Sequence, residues 1–175
     1  GTIVCNGATT GAISAVISGG GTAARVLTVT NTTTSIAYTT QTPIGGSPAA
    51  GFTYEVTGLP AGTYTVVASS TSSSCTSSGS NITISEPAIL SGTVTANNAT
   101  CFGTSTGTIV VSSAAGGAGT YEYSIDNGST WQTSATFSGL AAATYQVSIR
   151  DAANTTCVID LDASGTVISE PAALT

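Results

Sequence analysis

The sequence predicts an all-β chain of two tandem immunoglobulin-like β-sandwich modules, each with one intramodule disulfide. Three observations carry that prediction. Apolar residues alternate with small or polar ones in short runs, which is the period of a half-buried strand. The runs are bounded by Gly, Asn, Asp or Pro at intervals of about 8–12 residues, the spacing expected of such sandwiches. One ordered set of landmarks also occurs twice, as repeat architectures require.

The strand pattern is plain in both halves. Ile13, Ala15 and Ile17 alternate with small or polar neighbours, as do Ile109 with Val111, Tyr121 with Tyr123 and Ile125, and Tyr145 with Val147 and Ile149. No helix-period stretch competes, and about seven strands per module are expected. Asp126-Asn127-Gly128 separates one alternating strand from Thr130-Trp131; Asn-Gly supplies the positive φ of a tight hairpin, so Asp126, Asn127, Gly128 and Trp131 are assigned to a structural turn.

The repeated landmarks set the domain organisation. The first copy runs Cys5, Gly11, the glycines Gly19 to Gly21, Gly58-Leu59-Pro60-Ala61-Gly62-Thr63-Tyr64, Cys75 and Ser85-Glu86-Pro87-Ala88. The second runs Cys101, Gly107, Gly116-Gly117, Gly139-Leu140-Ala141-Ala142-Ala143-Thr144-Tyr145, Cys157 and Ser169-Glu170-Pro171-Ala172. Domains are therefore expected at 1–90 and 91–175. The first carries about 15 extra residues in an insertion at about 22–57, rich enough in β-formers to add a hairpin or extend two strands. Each SEPA proline lacks an amide donor and should end or edge the last strand. The closing SEPAALT reads like the internal SEPAIL, a connector to a further module, and residue 1 opens on strand-like GTIVC, so an excerpt of a longer series is expected.

Each copy has one cysteine near its start and one near its end, which predicts Cys5 with Cys75 and Cys101 with Cys157. Loops of that size restrict the unfolded chain by roughly 4 kcal/mol each on the chain-entropy model, and such bonds suit an extracellular compartment. Free buried cysteines in a reduced compartment are an alternative. The metal alternative has no His and no Cys-x-x-Cys, so four thiolates could meet only by joining two modules. No metal and no cofactor is assigned.

Composition excludes further classes. Only 6% of residues are charged, net charge is −6, and the cations are Arg25 and Arg150. No basic patch can neutralise phosphates, so nucleic acid is not an expected partner. No run of about 18 apolar residues exists, so no membrane insertion is expected in this segment. Without His or Lys, Ser-His, Cys-His and Ser-Lys nucleophiles cannot be assembled. Glu55, Glu122, Asp126, Asp151, Asp160 and Asp162 could supply paired carboxylates, yet no motif frames them, and no catalytic residue is assigned.

Three weaker signals remain. Ser124 to Trp131 resembles the Asp-box hairpin of sialidases and many other β proteins, and is read as a folding turn in which Asp126 caps amides over the Trp131 ring. Calcium at Asp126 and Asn127, or at Asp160 and Asp162, has suitable oxygen ligands without a full loop pattern. Asn-x-Ser/Thr occurs at Asn31, Asn81, Asn98, Asn127 and Asn154, and the tract Ser69 to Ser80 reads as a solvated loop open to O-glycosylation.

The second copy also resembles a known family, the SprB-type repeat of gliding-motility surface adhesins. The resemblance lies in Cys101-Phe102-Gly103, Gly107, Gly116-Gly117, Tyr121 to Gln132, Phe137 to Tyr145, Asp151, Cys157 and Ile168 to Leu174. The first copy matches only at its ends. The resemblance implies an array of immunoglobulin-like modules in a very long protein on the surface of a Gram-negative gliding bacterium, exported by the type IX pathway.

The function expected is a non-catalytic extracellular repeat segment of a cell-surface adhesin or fibre, giving reach and mechanical continuity, with neighbouring modules or copies of the same protein as partners. A self-assembling filament or surface-layer subunit is the first alternative, because nearly uncharged faces pack against one another. The second is a carbohydrate-binding module in which Tyr38, Tyr54 or Trp131 stacks on surface glycans.

Overall fold

The computed structural model describes residues 2–18, 24–47, 51–71 and 75–175. The glycine run Gly19 to Gly21, parts of the 22–57 insertion and part of the Ser69–Ser80 tract lie outside the described residues. The chain divides into two units, Gly1–Glu86 and Pro87–Thr175, and every regular element described is a β-strand.

Unit 1 contains β1 (Gly11–Ile17), β2 (Arg25–Asn31), β3 (Ala37–Thr40), β4 (Gly45–Ser47), β5 (Gly51–Leu59), β6 (Gly62–Ser70) and β7 (Ser80–Ile84). These form two antiparallel sheets, ordered β1-β5-β4 and β3-β2-β6-β7. Consecutive strands repeatedly change sheet, which is the Greek-key connection of an immunoglobulin-like sandwich. The period-2 pattern decides what faces the core: on β2, Leu27 and Val29 are buried between half-buried neighbours. Ile13, Tyr54, Val56, Leu59, Tyr64 and Ile84 from the two sheets, with Ile3 ahead of β1, complete the cluster. The β2–β3 hairpin is shaped by Asn31, whose Oδ1 accepts the amides of Thr33 at 2.9 Å and Thr34 at 3.0 Å.

Unit 2 contains β8 (Ser91–Asn97), β9 (Gly107–Ala115), β10 (Tyr121–Ser124), β11 (Thr136–Leu140), β12 (Ala143–Tyr145), β13 (Ser148–Asp151), β14 (Val158–Asp160) and β15 (Thr166–Ile168). Its sheets run β11-β9-β8 and β10-β13-β14, with β12 paired to β15. Ile109, Val111, Tyr123, Leu140, Val147, Ile149 and Ile168 lie in its buried core. The chain passes from one unit to the other at Glu86–Pro87, before the expected boundary at 90. The reason is local: the Ala88 carbonyl accepts the Gly117 amide at 2.9 Å, and Leu90 is buried within unit 2.

Both units build their strand crossings alike. Gly11 pairs with Leu59, and Gly107 with Leu140, each beside a register shift. A Cβ on Gly11 would stand 2.5 Å from the Leu59 carbonyl oxygen, and one on Gly107 would stand 2.6 Å from Ile168 Cγ2. The missing side chain lets Ile84 and Ile168 press onto the strand. Just after each bulge a tyrosine closes the corner: the Tyr64 hydroxyl donates to the Pro60 carbonyl at 2.8 Å and the Tyr145 hydroxyl to Ala141 at 3.1 Å. Such tyrosine corners are a hallmark of this architecture.

Candidate functional site

At the outgoing end of unit 1 the Cys5 loop turns back at Gly7, φ 74°, whose amide donates to Glu86 Oε2 at 2.6 Å. Unit 2 repeats the device: Gly103, φ 71°, donates to Glu170 Oε2 at 2.7 Å, beside Cys101. A charge-assisted bond between a left-handed glycine and the glutamate of SEPA thus holds each first-cysteine loop against the departing chain. Around Cys101 lies an open groove of about 450 Å³ lined by Phe102, Pro171, Ala172, Ala173 and Leu174.

The incoming end of unit 2 is built around Asp151. Its carboxylate is fully buried, accepting the Ala118 amide at 2.6 Å and the Ala153 amide at 2.8 Å, so burial is offset by backbone donors. The arriving segment crosses a glycine turn, where a Cβ on Gly116 would stand 2.0 Å from the Ile89 carbonyl oxygen. Cys157 belongs to this end, its carbonyl accepting the Asp151 amide at 3.0 Å. In unit 1 the corresponding loop follows β6, with the Cys75 carbonyl accepting the Ser70 amide at 3.1 Å.

The four cysteines depart from the sequence expectation. Cys75 and Cys101 are exposed free thiols, whereas Cys5 and Cys157 are disulfide-bonded. The intramodule pairs Cys5–Cys75 and Cys101–Cys157 are therefore not formed. The cause is strand length. In unit 2, Cys101 lies at the Gly107 end of the nine-residue β9 and Cys157 beyond its other end. In unit 1, the nine residues of β6 separate the Glu86 end, beside Cys5, from Cys75. Nine strand residues span roughly 30 Å, while a disulfide needs Cα atoms within about 7 Å. Nearness to the two ends of a repeat in sequence placed the cysteines at opposite ends in space.

The turn residues do come together. Asn127 and Gly128 both have positive φ, 57° and 78°. Asp126 accepts the Thr130 amide at 2.9 Å, the Thr130 hydroxyl at 2.6 Å and the Ser124 hydroxyl at 2.7 Å. The Thr130 and Ser124 hydroxyls hold its carboxyl down at about 2, because bonds to the charged form favour it. The Trp131 ring lies under the turn, with Nε1 donating to the Gly128 carbonyl at 2.9 Å. Arg150 covers that ring at 4.4 Å from its centroid and bonds Glu122 at 2.6 Å.

This placement bears on the other candidates. Trp131 has Arg150 on its ring, Tyr54 is buried in the core, and Tyr38 packs edge-on against Tyr64 at 6.4 Å, so each of the three proposed sugar-stacking rings is engaged within its own unit. Asp162 accepts the Ser164 hydroxyl at 2.6 Å and the Thr166 hydroxyl at 3.0 Å, which lower its pKa, and Asp160 accepts the Asp162 amide at 3.1 Å. These carboxylates shape their own loop. Among the described residues no group of three or more His, Cys, Asp or Glu gathers, and no helix is long and apolar enough to cross a membrane. The signals that sequence reading passed over were Asp151 as a buried anchor and Glu86 and Glu170 as loop clamps.

Residues 93–130, from β8 to the Asp126 turn, match the family model described as SprB repeat. No curated protein matches the chain in sequence. Among solved structures, a C-terminal 282-residue fragment of intimin, in complex with the intimin-binding domain of the translocated intimin receptor, is 15% identical with a TM-score of 0.40. That match covers 86% of this chain and 56% of the fragment. The IgVJ-C2 molecule of amphioxus is 13% identical with a TM-score of 0.31, covering 89% of this chain and 98% of that one. The sandwich assignment stands on the strand pairing itself.

Proposed function

We propose that the chain is a non-catalytic repeat segment of an extracellular adhesin or fibre, two SprB-type modules in series that give reach and mechanical continuity. The observation that carries this reading is the pair of matching outgoing ends, in which Glu86 and Glu170 clamp equivalent cysteine loops, together with the SprB match over residues 93–130. A device repeated once per module serves the joint between modules, since a surface ligand would need to be met only once. The family points further, to the surface of a Gram-negative bacterium, export by the type IX pathway and a part in gliding.

The rival reading, a self-assembling filament, draws on the apolar groove at Phe102 and Leu174, which are 59% and 103% exposed. Negative-stain electron microscopy of the purified chain at high concentration separates the two. Dispersed two-bead particles support the stalk; ordered fibres from this segment alone overturn it.

A further inference from the structure

We propose that the outer edge of β1 in unit 1 is a strand-docking surface, and that its partner is an extended, uncharged segment of the β8 type carried by another module of the same kind. In unit 2 the equivalent strand, β9, has a neighbour on each side, β11 and β8. In unit 1, β1 pairs with β5 alone among the described strands. Placing Cys5, Gly7 and Gly11 on Cys101, Gly103 and Gly107 sets β1 on β9 and leaves no described residue of unit 1 in the place of β8. Burial along the strand follows suit. Beside β8, Val110 is half-buried and Val111 buried, whereas their counterparts Ser14 and Ala15 are exposed and half-buried.

In unit 2, β8 is also tied to the end of β15: Asn98 Oδ1 accepts the Ser169 amide at 3.0 Å, and the Ala99 amide donates to the Ser169 carbonyl at 2.9 Å. The corresponding place in unit 1, between β1 and β7, is an open groove of about 440 Å³ lined by Ala15, Val16 and Ile17, by Val66 and Ile82, and by the buried Leu27. Val16 and Ile82 are 63% and 39% exposed there. None of the side chains lining the groove is charged, and β8, Ser-Gly-Thr-Val-Thr-Ala-Asn, carries no charge either. A strand added at β1 gains main-chain hydrogen bonds and covers both apolar side chains, whereas a charge brought into the groove would be desolvated without a partner. Edge strands are usually blunted by charge or proline; β1, Gly-Ala-Ile-Ser-Ala-Val-Ile, has neither. The register comes from unit 2, where Val94 faces Val111 and Ala96 faces Ile109; on β1 the same strand sets Val94 opposite Ala15 and Ala96 opposite Ile13. The surface follows from the pairing within unit 2 and not from the stalk reading, so electron microscopy and the titration below fail separately.

The test titrates a synthetic peptide of residues 87–97, Pro-Ala-Ile-Leu-Ser-Gly-Thr-Val-Thr-Ala-Asn, into the full chain and follows amide hydrogen exchange by NMR. With free peptide at about ten times its Kd, the β1 amides that it pairs should exchange about tenfold more slowly, while those of β9 are unchanged. A peptide carrying Val94→Asp should lose this protection, and so should the chain carrying Val16→Asp, a change at an exposed side chain. No slowing at β1, or equal slowing with the Val94→Asp peptide, overturns the proposal. Slowing at β9 instead, which marks exchange for the chain's own β8, overturns it as well. Protection of β1 that grows with chain concentration in the absence of peptide assigns the edge to a second copy of β1 and also overturns it.

Discussion

Replacing Asp126 by asparagine should weaken unit 2 by an amount that disappears in acid. The carboxyl falls from 3.8 to about 2 because Thr130 and Ser124 donate to its charged form. Taken in full, that shift would be worth about 2.5 kcal/mol at about 1.4 kcal/mol per pH unit. The group is exposed, so water and salt screen it, and about 1 kcal/mol is the reasonable expectation. The folded pKa lies below the unfolded one; the stabilisation is complete above about pH 4 and is lost as the pH falls through about 2. The assay is urea unfolding followed by fluorescence of Trp131, the single tryptophan, which lies under this turn and reports unit 2 alone. With an m-value of about 1–2 kcal/mol/M, the midpoint should fall by roughly 0.5–1 M at neutral pH. An unchanged midpoint at neutral pH, or a gap that is the same below about pH 2, would refute the reasoning.

Three further outcomes follow from the same geometry. Gly107→Ala should cost about 1–3 kcal/mol, because its Cβ would stand 2.6 Å from Ile168 Cγ2 and 2.9 Å from the Leu140 carbonyl oxygen; a melting curve matching the parent contradicts this. Tyr64→Phe should cost about 1 kcal/mol through loss of the corner hydrogen bond, read as a lowered denaturation midpoint of unit 1 by circular dichroism, and a neutral change would show the corner to be ornamental. In an N-glycosylating host Asn31 should stay unmodified, since it is 6% exposed and its side chain holds the Thr33 and Thr34 amides; glycopeptide mapping that finds it occupied contradicts its placement.

Much of the fold was legible because alternation is a local property. Leu27 and Val29, Ile109 and Val111, and Tyr123 announce buried positions by period alone, and Asn127-Gly128 announces its turn by the positive φ values that Asn and Gly favour. The G-L-x-A-x-T-Y landmark was visible as a repeat, but its meaning was not: it takes the fold to show that the glycine admits a bulge and the tyrosine closes a corner. The cysteine pairing was misread for a related reason. Position within a repeat is a sequence coordinate, whereas a bond needs spatial proximity, and one strand carries the chain from one end of a sandwich to the other. Asp151 was equally opaque, since a buried carboxylate satisfied by the amides of Ala118 and Ala153 looks in sequence like any turn acid.

Single-molecule pulling of the full chain from its two ends, in reducing buffer, tests the central claim that these modules bear load in series. The account predicts two discrete unfolding events, one for residues 1–86 and one for 87–175, each releasing ~300 Å of extended chain. Smooth extension at low force with no discrete events would contradict it.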